Sequence, residues 1–117
     1  MEPKNGIIKE TFLGFDDTGM FTMAVTVSYG AKQQLYGLFA LDDFDEETNT
    51  RVPTKYCCKC VMEFLKIVDA RCWEDLINKP VRVKATDERI EEIGHFMDDV
   101  WFDKDKIYAN MDLEVPE

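Results

Sequence analysis

Three thiols lie within four residues, at Cys57, Cys58 and Cys60, and a fourth follows at Cys72. With the single histidine, His95, they supply the residue types of a zinc site or of a cysteine nucleophile with its base. Zinc takes four ligands that converge tetrahedrally, commonly from two separated pairs of spaced cysteines. Cys57 and Cys58 are adjacent, and adjacent side chains on a helix point about 100° apart. Cys57 and Cys60 share one apolar stripe and fit as small hydrophobes. A catalytic thiol needs a base within hydrogen-bond reach, and no spacing puts His95 beside one. The sequence therefore favours packing, with no metal, no cofactor and no catalytic residue.

Carboxylates are the second chemical feature. Asp42, Asp43, Phe44, Asp45, Glu46 and Glu47 form an acidic run with one aromatic inside it. It is not a calcium loop. With Asp43 as first ligand, the required glycine is Thr48 and the closing glutamate is Thr54. As an interaction surface, Phe44 would anchor in a partner's pocket while the acids steer the encounter. Asp98, Asp99 and Trp101 repeat the pattern near the end of the chain. Trp101 there either closes the core or stands out as an anchor. An alternative site is a small-ligand pocket between helix and sheet, lined by Tyr36, Trp73 and His95. Arg82, Lys84 and Arg89 would be its cationic donors for a small nucleotide. There is no phosphate-cradling glycine loop. Ser28 is the only serine and has no nucleophile-elbow pattern around it, which argues against a serine hydrolase.

These residues must be placed by a modest set of elements. Gly6 to Leu13 reads as a strand, with Ile7 on one face and Ile8 and Phe12 on the other. Residues 14–19 carry turn chemistry. Met20 to Tyr29 alternates clearly, with Phe21, Met23, Val25, Val27 and Tyr29 on one face. Gln33 to Leu41 is a third strand, with Leu35, Phe39 and Leu41 together. Asp42 to Pro53 is an acidic loop. Thr54 caps a helix whose stripe is Cys57, Cys60, Val61, Phe64, Leu65 and Val68. A short helix at Trp73 to Ile77 precedes a hairpin of Val81 to Ala85 with Ile90 to Met97, and Ile107 to Leu113 reads as an edge strand. The expected fold is α+β: an antiparallel, strongly curved sheet of order β-β-β-α-β-β with one main helix packed on one face. A small barrel is the main variant.

The 117 residues suffice for one domain over 1–117, with an acidic loop at 42–53 and an acidic tail at 98–117. Asp and Glu total 24 against 14 Lys and Arg, a net charge of −10. Direct nucleic-acid binding is disfavoured, because phosphate contacts need cations. A partner with a basic surface, including one built to hold nucleic acid, is favoured instead. No apolar run approaches the roughly 20 residues of a spanning helix. The polar start carries no signal-peptide pattern, so the cysteines read as reduced thiols in a cytoplasmic protein. An edge strand leaves room for a homo-oligomer.

Several stretches together carry a resemblance. They are Ile8-Lys-Glu-Thr-Phe-Leu-Gly14, Gln34-Leu-Tyr-Gly-Leu-Phe-Ala-Leu-Asp42, Trp73-Glu-Asp-Leu76, Pro80-Val-Arg-Val-Lys84, and Ile93-Gly-His-Phe96 with Trp101-Phe102. In this order, over about residues 6–103, the chain resembles a group of small uncharacterised proteins of bacteriophages and prophages. The family pattern is richer in glycine at 34–39 and lacks the cysteines. The resemblance implies a phage accessory protein acting in the cytoplasm of the bacterial host. It implies counter-defence: an anti-CRISPR-like inhibitor of a bacterial defence protein, or a sponge for a nucleotide immune signal.

Overall fold

Alternation of apolar residues sets the first hairpin. The computed structural model describes residues 1–111. β1 (Lys4–Phe15) pairs antiparallel with β2 (Phe21–Tyr29), and β2 pairs with β3 (Lys32–Ala40). β2 buries Met23, Val25, Val27 and Tyr29, as its alternation requires. β1 and β3 each depart from simple alternation at a bulge. In β1 the register shifts between Ile8 and Glu10, so Ile8 is buried while Phe12 is exposed on the other face. The expected pairing of Ile8 with Phe12 is thereby corrected.

In β3 the bulge falls at Gly37 and Leu38, both with positive φ, 127° and 63°. A Cβ on Gly37 would run into the Met23 carbonyl of the neighbouring strand, so glycine is required there. The extra residue reverses the faces. Tyr36 and Phe39 point to the core and Leu35 points out, 45% exposed. The expected shared face of Leu35 with Phe39 and Leu41 is corrected accordingly.

The segment read as a plain acidic loop contains a small hairpin, β4 (Asp43–Asp45) with β5 (Thr50–Val52). Thr54 then caps α1 (Lys55–Ile67), its hydroxyl accepting from the Cys57 N–H at 3.1 Å. α1 buries Cys60, Phe64 and Ile67 on the stripe that the spacing predicts. A 3-10 turn at Trp73–Leu76 leads to β6 (Pro80–Ala85) and β7 (Ile90–Gly94). The main sheet is antiparallel with order β3-β2-β1-β6-β7. The fold is α+β, and the sheet stays open. Its edge strands β3 and β7 close in only at one end, where Lys32 Nζ and Gln34 Nε2 donate to Asp87 at 2.9 and 3.1 Å.

The chain end is not a solvated tail over its described part. Phe102 is buried against Phe64, ring centroids 5.3 Å apart. Residues expected to begin an edge strand form α2 (Lys104–Ala109) instead. Asp103 caps it by accepting from the Asp105 and Lys106 N–H groups. Its Tyr108 packs edge-on to Tyr56 at 5.4 Å. Leu113, the other end of the expected strand, lies outside the described residues.

Candidate functional site

The chemistry-bearing residues fall into three places. The first is the end of the molecule at the β1–β2 turn. Leu41 N donates to the Phe21 carbonyl at 2.8 Å, which brings the β4–β5 hairpin beside that turn. Asp42 receives a two-pronged contact from Arg51, at 2.8 and 2.9 Å. That hydrogen bonding holds the Asp42 carboxyl below the ordinary carboxylate range and holds Arg51 charged. Asp43 and Asp16 add to the field at Arg51. Asp16 therefore joins the acidic run, although the sequence presents it only as a turn residue. Arg51 is committed to Asp42, so Asp43, Glu46 and Glu47 face solvent as carboxylates.

Two phenylalanines stand in this acidic end. Phe15 is 67% exposed and Phe44 is 46% exposed. Phe15, Phe21, Leu41, Val52, Pro53 and Cys57 line a mainly apolar cleft of about 400 Å³, with Asp42 and Arg51 at its rim. Asp45 turns inward on its own hairpin, accepting from Glu47 N at 3.0 Å and from the Thr48 hydroxyl.

The second place is the outer face of β6 and β7. Trp101 lies across Gly94, where no Cβ intervenes. Lys84 Nζ is 4.3 Å and Arg82 Cζ 5.3 Å from its ring. Its indole N–H donates to Asp99 at 2.7 Å. Arg82 donates to the carbonyls of His95 and Asp98, fixing the turn between them. His95 Nδ1 accepts from Met97 N and Asp98 N. Asp98, Asp99 and Trp101 thus form a structured corner. His95 and Asp98 border the last turns of α1 at Lys66 and Ile67, whereas Cys57 borders the first cleft. The two acidic clusters flank opposite ends of a helix about 20 Å long.

The third place is a cleft of about 450 Å³ between β3 and β7, floored by Phe102 and the start of α2. Tyr36 and Arg89 line it. Burial, with the Asp103 and Asp105 charges, pushes the Tyr36 hydroxyl pKa up. The six residues expected around one nucleotide pocket are distributed. Tyr36 and Arg89 share this cleft, Arg82, Lys84 and His95 gather at the Trp101 corner, and Trp73 packs on Phe64 at 6.3 Å.

Of the cysteines, Cys60 belongs to the core and Cys57 packs against it. Cys60 is fully buried, and burial pushes its thiol up to about 11. Burial also raises the Cys57 thiol. Cys58 is exposed, against the Met62 sulfur at 3.6 Å. Among the described residues no three His, Cys, Asp or Glu side chains converge as a metal site. None of their helices is long and apolar enough to cross a membrane. Compared with protein-family models, curated proteins and solved structures, the chain finds no match.

Proposed function

We propose that this is a non-enzymatic binding protein whose acidic end docks on a basic surface of a partner protein. The observation that supports it is the meeting of the β1–β2 turn and the β4–β5 hairpin. Solvent-facing carboxylates there surround exposed Phe15 and Phe44 beside an apolar cleft. Interfaces of this make-up gain energy from the buried aromatic and encounter rate from the charge. Together with the resemblance to phage accessory proteins, this favours an inhibitor of a bacterial defence protein, anti-CRISPR-like, acting in the host cytoplasm. A partner surface that normally holds nucleic acid has the complementary charge.

The test uses the full chain, tagged and isolated gently from bacterial lysate, with the native mass of the complex as readout. The captured protein is then titrated against Phe44→Ala and against Asp43→Lys combined with Glu46→Lys. We expect Phe44→Ala to weaken binding at least tenfold, as a central aromatic does. The charge reversal should weaken it further and flatten its salt dependence. Unchanged affinity in both variants overturns the assignment of this end.

A further inference from the structure

The cleft between β3 and β7 has features that protein docking at the acidic end does not use. Tyr36 at its base is only 9% exposed, and its hydroxyl has no hydrogen-bond partner among the described residues. None of their side-chain polar atoms is sealed away unpaired, so that hydroxyl opens into the cleft that Tyr36 lines. A phenol held in place by packing but opening into a cleft keeps its hydrogen-bonding capacity for a group from solution.

The charges around it are arranged on two walls. Glu91 and Glu92 come from β7, and Asp103 and Asp105 from the start of α2. Arg89 pairs with Glu91 at 2.6 Å and Lys104 with Asp105 at 3.2 Å. That leaves Asp103 without a paired cation on the α2 wall, and Glu92 on the β7 wall with only a loose cross-strand contact to Lys84. Asp103 spends Oδ1 on the backbone of α2. Glu92 has Lys84 no nearer than 3.9 Å, and Lys84 is outside the cleft lining. With four carboxylates and two cations among the lining residues, the lining has a net charge of −2. These carboxylates do not converge as a metal ion demands. Between the walls lie the rings of Tyr36, Phe39 and Phe102, and Lys104 Nζ already sits 5.3 Å from the Phe39 ring.

We infer that this cleft binds a linear alkyl diamine, one ammonium toward Glu92 and the other toward Asp103, with an N–H donating to the Tyr36 oxygen. A ligand with only donors matches a lining whose free groups accept. Two charges joined by methylenes match two separated carboxylates across aromatic rings. This inference does not depend on the acidic end. Either can fail alone.

Calorimetric titration of the full chain with 1,4-diaminobutane tests it. Magnesium chloride at equal ionic strength and Nα-acetyl-lysine amide are the controls. We expect saturable one-to-one binding of the diamine, weak or absent binding of both controls, and about tenfold loss in Tyr36→Phe. Tyr36→Phe removes no hydrogen bond within the protein, so its ligand-free melting temperature should match the wild type. Glu92→Gln, on an exposed side chain, should weaken binding comparably. Absence of saturable binding overturns the site, as does equal binding by Tyr36→Phe. Equal binding of magnesium reduces the effect to bulk charge and overturns it too. Equal binding of the lysine amide overturns the two-ammonium ligand.

Discussion

At Asp42 a single residue does structural work inside a run that otherwise faces solvent. Its contact with Arg51 ties the entry of the β4–β5 hairpin to its return strand. Because the folded carboxyl is held below the ordinary value of 3.8, its contribution is fully present above that pH. It is lost as pH falls through the lower folded value. Asp42→Asn should therefore be less stable than wild type at pH 7, and the two melting temperatures should converge toward pH 2. Thermal melts across that range measure it, and parallel curves would remove the ion pair from the account. Trp101 makes a related point. Its neighbour Phe102 enters the core, while Trp101 itself is held on the outer face by two cations and a glycine. Adjacent aromatics in an extended segment must face opposite ways, but the sequence does not say which one faces in.

At the scale of elements, the bulges govern what faces where. β2 is legible by eye, because its alternation is unbroken. β1 and β3 flank it with one extra residue each, and one extra residue exchanges the two faces of everything beyond it. The Gly37–Leu38 bulge is what sets Phe39, opposite Met23, on the same face as Tyr36, opposite Val25. Gly37→Ala puts a Cβ at positive φ and against the Met23 carbonyl. It should cost at least about 2 kcal/mol in urea denaturation, a sum of backbone strain and displaced strand. A cost near zero would mean the bulge relaxes freely. α1, by contrast, follows from local signals alone: a threonine cap and one apolar stripe.

For the whole molecule, the open sheet needs the chain end to complete its core. Phe102 meets Phe64 at 5.3 Å, Tyr36 at 6.3 Å and Phe39 at 6.4 Å. It thereby joins β3, α1 and the segment leading to α2. Phe102→Ala should destabilise the entire domain by about 3–5 kcal/mol, in a single cooperative transition. Separate loss of α2 with the sheet intact would show instead that the end is an independent flap. The same closure shapes the β3–β7 cleft, which Phe102 lines, so a destabilised end should weaken the cleft as well.

Local order along the chain determined the period of β2, the helix period with its Thr54 cap, and the acidic run with Phe44. Those depend on residues close in sequence, whose geometry is set by period and capping. Only the tertiary structure decided that Asp16 joins Asp42 and Asp43 around Arg51, that the two acidic clusters flank opposite ends of α1, and that residues after Asp103 form a helix. It alone placed Tyr36 between carboxylates from β7 and from α2. The reason is physical: a bulge changes the side-chain phase of a strand without any required residue type except glycine. A cleft between two sheet edges joins residues more than fifty positions apart, which no local period encodes.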